Sequence, residues 1–198
     1  DVRDSLLKIM SLKSKRIIIT SFASNVARME SVFYCANKIG RHVSLVGRSM
    51  NRIFKAARQC GYLNNIEDPI DPREAKKIPR EKMVYMCTGS QGEPMGAMKR
   101  IIKDIHPDVF IEKGDTVIFS SKIIPGNEKK LYSLHNDIVR KEVELITEET
   151  DFVHVSGHPN REDLKDMYNW VKPKCVIPVH GEHRHMIEHI NFAKEMQV

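Results

Sequence analysis

The stretch RIIITSFASNVARMESVFYCANKIGRHVSLVGRS, residues 16–49, decides the fold class. RIIIT (16–20) is a short apolar, β-branched run of the kind that forms a buried strand. Small polar residues come next, and then an amphipathic helical pattern from about Asn25 to Ile39, stopped by Gly40. HVSLV (42–46) repeats the strand signature. Strands separated by helices build a mostly parallel sheet.

The same alternation runs outward in both directions. Residues 2–11 read as a helix, and residues 50–60 as another closed by Gly61. Residues 64–82, charged and interrupted by Pro69, Pro72 and Pro79, read as a surface excursion. Strands are expected at 83–87 (MVYMC), 115–120, 143–146, 151–155 (DFVHV) and 174–179 (KCVIPV). Helices are expected at 94–104, opening on Pro94, and at 127–140, 160–171 and 183–196. The predicted class is α/β: a mostly parallel sheet with helices on both faces.

Of the 198 residues, 41% are hydrophobic and 29% charged, which suits a soluble fold with a real core. No apolar run approaches the ~18 residues of a membrane span, and no basic-then-apolar leader opens the sequence. A cytoplasmic protein with no membrane contact is expected, and the opening on Asp1 reads as a trimmed piece. Cys35, Cys60, Cys87 and Cys175 form no C-x-x-C pair and read as reduced, buried thiols. A net charge of +6 favours polyanionic partners.

The functional signal lies in the turns that leave the strands. These are Ser21–Asn25, Gly47–Ser49, Thr88–Gly92, Ser120–Ser121, Ser156–His158 and His180–Glu182. In a parallel sheet such turns share the edge where these folds bind ligands. Glycine admits close backbone approach, and hydroxyls and free N–H groups bind phosphate oxygens. Each turn alone is also what ordinary helix capping produces; six on one edge of a basic chain favour anion binding. Neither G-x-x-x-x-G-K-[ST] nor G-x-G-x-x-G occurs, so a nucleoside triphosphate or dinucleotide is not expected.

Three of nine histidines lie in the last two turns: His154, His158 and His180. Residues 154, 156 and 158 share a face if the chain stays extended, which Gly157 can break. Histidine exchanges protons near neutral pH and, when neutral, ligates metals. Glu182 is placed to orient His180. His183, His185 and His189 read as surface or packing residues of the last helix.

T-x-F-A-S-N (20–25), G-R-S-M (47–50), C-T-G-S-Q-G-E-P-M (87–95), G-D-T-V-I-F-S-S (114–121), I-P-G-N-E (124–128), H-V-S-G-H (154–158) and P-V-H-G-E (178–182) together resemble the successive signatures of the ribonuclease J family. That family joins a metallo-β-lactamase domain to an inserted β-CASP domain. The resemblance implies a β-CASP domain over residues 1–145, with a leading helix. It implies that residues 146–198 are a short α/β segment returning to the metallo-β-lactamase fold. It implies His158 as a catalytic proton-transfer residue and His180 as a ligand of a two-metal site. Substrate contacts are implied at Ser24, Asn25, Ser90, Gln91, Ser120, Ser121, His154, Val155, Ser156, Gly157 and His158.

The expected partner is single-stranded RNA, the expected cofactors are two divalent metal ions, zinc by preference, in the complete enzyme, and relatives form homo-oligomers. The family's main metal motif, H-x-H-x-D-H, does not occur in this sequence. The chain alone is therefore expected to hold no metal pair and to be inactive. Two other readings stand beside this one. The first is a non-catalytic nucleic-acid-binding or assembly module. The second is a nuclease of a neighbouring β-CASP branch acting on DNA or messenger RNA 3′ ends, against which the C-T-G-S-Q-G-E-P-M string argues.

Overall fold

Ile17, Ile18 and Ile19 are all fully buried. A strand sends successive side chains to opposite faces, so three such residues in a row require cover on both sides. The computed structural model, which describes residues 1–198, supplies that cover. Strand β1 (Ile17–Thr20) is central in a five-stranded sheet of order β2-β3-β1-β4-β5. The others are β2 (His42–Val46), β3 (Met83–Cys87), β4 (Thr116–Phe119) and β5 (Glu144–Ile146). Every pairing is parallel, with Ile17 opposite Val84 on one side and Thr116 on the other.

The helices divide between the faces by the alternation of the strands. Ile17, Ile19, Met86 and Ile118 point into one core with Leu6 of α1 (Val2–Ser11), Met29 of α2 (Val26–Lys38) and Phe54 of α3 (Arg48–Gln59). Ile18, Tyr85 and Phe119 point into the other. There they meet Ala75 of α4 (Pro72–Ala75), Ile101 of α5 (Ala97–Ile102) and Leu134 of α6 (Glu128–Arg140). From β1 the chain crosses through α2 toward β2; from β4 it crosses through α6, on the opposite face, toward β5. The chain thus diverges between the carboxyl ends of β1 and β4, the switch point that opens a binding crevice in sheets of this kind.

The expected parallel α/β class is what forms, with several local differences. Residues 151–155 and 174–179 are not strands. A strand needs a ladder partner, and neither segment pairs with a strand of the sheet, whose edges are β2 and β5. Val153 is instead buried as a side chain, while its carbonyl accepts from Ser120 Oγ at 2.7 Å. Residues 174–179 find no ladder, and Ile177 and Val179 are 78% and 83% exposed. The turns at 156–158 and 180–182 therefore do not extend strands of this sheet. The excursion at 64–82 is not purely superficial: the Ile70 N–H donates to Val43 O at 2.8 Å and Ala75 is fully buried.

The helix expected at 94–104 is confined to α5, because Pro94 lies in a turn. Gly89, at φ +108°, and Gly96 pack backbone to backbone there. A Cβ on Gly96 would stand 2.6 Å from Gly89 Cα.

Contacts divide the chain into two compact units, Asp1–Val155 and Ser156–Val198. The second consists of α7 (Arg161–Val171) and α8 (His183–Glu195) around Tyr168, Phe192 and Ala193. Asn160 and Asp163 form a reciprocal capping box on α7 (3.0 and 2.9 Å), and Tyr168 Oη meets His189 Nε2 at 2.5 Å. No helix is long and apolar enough to cross a membrane.

The thiols fall into two classes. Cys35 and Cys87 are buried, and burial pushes them up to about 11 and about 12; Cys60 and Cys175 are exposed, against the expectation that all four would be buried. Since the thiolate is the reactive form, a disulfide reagent at mildly alkaline pH should titrate Cys60 and Cys175 rapidly and the other two only after denaturation. Four equally fast thiols in the native protein would contradict this packing.

Candidate nucleic-acid interface

The sheet edge at the switch point carries the turns that follow β1 and β4. Ser24 is exposed in the turn after β1, and Asn25 caps α2 by accepting the Arg28 N–H at 2.9 Å. After β4, Ser120 and Ser121 are buried at 1% and 4% exposure. Ser120 Oγ donates to Val153 O; Ser121 Oγ donates to Ser90 O at 3.5 Å. Ser90 is itself buried, with a hydroxyl that finds no partner. The sequence-predicted hydroxyls are thus brought to one edge, but they differ in availability: Ser24 is open, whereas Ser120 and Ser121 already bind neighbouring carbonyls.

Gln91 is engaged on both sides of its amide. Its Nε2 donates to Lys122 O at 2.8 Å, and its Oε1 accepts from Ile124 N at 2.9 Å and Asn127 Nδ2 at 3.3 Å. The side chain holds the 122–127 loop against the turn after β3, a positioning task that the sequence did not separate from substrate contact.

Arg28 escaped the sequence reading. It is only 6% exposed, has no carboxylate partner, and its Nε is without a hydrogen bond. Burial lowers its pKa, and its charge also disfavours protonation of His154. A buried guanidinium without an anion is costly, so this position suits an arriving phosphate. The sequence carried a signal, an arginine one turn into the helix after a Ser-Asn turn, but its burial depends on tertiary packing.

His154 is half-buried and its Nδ1 is unpartnered. Val155 is 50% exposed. Burial is the main cause that lowers the pKa of His154, and the same holds for His135, whose ring packs edge-on against Phe119 with centroids 4.5 Å apart. Both histidines are held neutral in the fold, whereas the unfolded chain takes up protons near its ordinary value of 6.5. Their stabilising contribution is complete above 6.5 and is lost as pH falls through the folded values. Urea midpoints measured against pH should decline on the acid side of 6.5, and His135→Gln should flatten that decline. An unchanged slope in the variant would contradict the assignment.

In the second unit, Ser156, Gly157 and His158 are exposed, and the His158 N–H donates to Ser156 Oγ at 3.1 Å. His158 and His180, far apart in sequence, meet with ring centroids 5.4 Å apart at 70°. Gly181 makes this possible: at φ +114° it turns the chain, and a Cβ there would sit 3.1 Å from His185 Cβ. Glu182 does not orient His180; its N–H donates to His185 Nδ1 at 3.0 Å, which makes His185 part of the start of α8. No three His, Cys, Asp or Glu side chains converge to hold a metal ion. Two imidazoles supply too few donors for a metal pair.

Residues 14–138 match the family model for the ribonuclease J β-CASP domain, and residues 142–197 match the Zn-dependent metallo-hydrolase RNA specificity domain. The chain is 43% identical over 188 residues to Ribonuclease J of Sinorhizobium meliloti, covering 95% of this chain and 33% of that protein. It is 38% identical over 198 residues to Ribonuclease J 1 of Streptococcus pyogenes, covering 100% and 35%. Against Ribonuclease J2 of Bacillus subtilis it is 37% identical over 181 residues, covering 91% and 32%. The chain spans about a third of the length of the curated relatives it matches.

Proposed function

Because the chain belongs to the ribonuclease J family, we propose that it is the RNA-gripping part of a metal-dependent ribonuclease that acts in RNA maturation and decay by endonucleolytic cutting and 5′-to-3′ trimming. The observation that carries this reading is the pairing of His158 with His180, two imidazoles 5.4 Å apart, in a chain whose family descriptions name both an RNA specificity domain and zinc. Ser24, the turns around Ser90 and Ser120, and Arg28 offer hydroxyls, N–H groups and positive charge, which bind a sugar–phosphate chain without reading its bases. His158 would hold or move a proton at the scissile phosphate. His180 would be one ligand of a zinc pair in the parent protein, whose remaining ligands this chain does not supply. Homo-oligomeric assembly and a cytoplasmic location belong to the same reading.

Two measurements test it. The purified chain should bind single-stranded RNA with an affinity that falls steeply as salt rises. It should cleave none of that RNA with zinc or manganese added. Robust metal-dependent cleavage by this chain would overturn the assignment of the metal site to the rest of the parent. Absence of RNA binding at low salt would overturn the gripping role and favour an assembly module.

A further inference from the structure

On the other side of the sheet edge, beyond the carboxyl ends of β2 and β3, lies an open groove of about 1220 Å³. One wall is α3, whose Arg48, Arg52 and Lys55 stand at helical spacings that place them on one face. All three are exposed. Arg100 of α5 lines the same groove. None of these four cations takes part in an ion pair, although fourteen other lysines and arginines of the chain do. The only acidic residue lining the groove, Asp108, is neutralised by Lys76 at 3.1 Å.

An array of unpaired cations in one concavity raises the local potential and concentrates anions. We propose that this groove is a second binding track for the phosphate backbone of single-stranded RNA, separate from the crevice between β1 and β4. Arg48 to Lys55 spans about 10 Å of helix axis, a length that suits consecutive phosphates better than a single small anion. Two further features favour a polynucleotide over an acidic protein surface. Met95 stands 83% exposed within the groove, an apolar arm that can lie against a ribose or base. His106 accepts the Val109 N–H on Nδ1 at 3.1 Å, which leaves its Nε2–H as a donor. The proposal rests on the RNA-gripping reading and extends it to residues of α3 and α5.

The test is fluorescence anisotropy of a labelled oligouridylate with the whole chain over a range of salt. Each phosphate contact on a single strand contributes about 0.7 to the slope of log affinity against log salt. Arg52→Gln/Lys55→Gln/Arg100→Gln should make that slope shallower by about 2 and weaken binding about tenfold or more at low salt. Arg52→Lys/Arg100→Lys should retain the slope. If the triple variant unfolds, Arg52→Gln/Lys55→Gln, at two exposed positions, should still lower the slope by about 1.4. Wild-type binding with a steep slope that the folded variants leave unchanged overturns the groove and spares the RNA-gripping reading. Failure of the wild type to bind overturns that reading first and the groove with it. Poly-glutamate binding as tightly as RNA, and lost in the same variants, overturns the proposal in favour of an acidic protein partner.

Discussion

Asp115→Ala is expected to lower the unfolding free energy by about 3–5 kcal/mol, because it removes one partner of a buried charge network. Asp115 is fully buried just before β4, and its two oxygens serve three segments. Oδ1 accepts from Arg80 Nη2 at 2.6 Å, Arg80 Nε at 3.2 Å and the Arg16 N–H at 3.2 Å. Oδ2 accepts the Glu112 N–H at 2.9 Å and lies 3.7 Å from Arg16 Nη1. Arg16 leads into β1 and Arg80 into β3, so one carboxylate ties the entrances of three adjacent strands. Removal leaves Arg16 without a carboxylate partner, Arg80 with only the half-exposed Glu112 at 2.7 Å, and two N–H groups without an acceptor. Asp115→Asn, which keeps the shape but not the charge, should cost less than alanine. Urea unfolding followed by circular dichroism measures both, and a loss under about 1 kcal/mol for the alanine variant would show that the network is not structural.

The second large effect concerns chemistry. In the parent ribonuclease, His158→Ala should lower kcat about 10²–10⁴-fold, the range over which a positioned acid–base group contributes, with KM little changed. His183→Ala, on an exposed residue of α8, serves as the control. A structural role for His158 would lower stability and leave the pH profile of the residual rate in its original form. A proton-transfer role removes one limb of that profile. A loss of less than about tenfold, with both limbs intact, contradicts the proposed role.

The sheet was legible because burial on both faces leaves a plain imprint: RIIIT and MVYMC contain no polar alternation. DFVHV and KCVIPV, apolar in part but carrying Asp151, His154 and Pro178, do not form strands. Apolar, β-branched composition reports that a segment suits a ladder, not that packing lays it along an open sheet edge. Pro94 misled in the same way, as a favoured helix opener overruled by the backbone contact of Gly89 with Gly96. At the site, positions were easier to read than occupations. Parallel topology alone put Ser24, Ser90 and Ser120 on one edge. That Ser120 binds a carbonyl, that Gln91 braces a loop and that Arg28 is buried without an anion are outcomes of packing between distant segments.

The contact between Gly89 and Gly96 also constrains how this polypeptide can drift over evolutionary time. A methyl group on residue 96 collides with main chain, which cannot rotate away, and one on residue 89 meets both an unfavourable φ and the Met98 backbone nitrogen at 3.1 Å. Neither site can be relieved by changing the other, since each is already the smallest residue. Each glycine is thus held in place on its own account, so Gly89 stands within the C-T-G-S-Q-G-E-P-M string, and Gly96 directly after it, for reasons of space rather than chemistry.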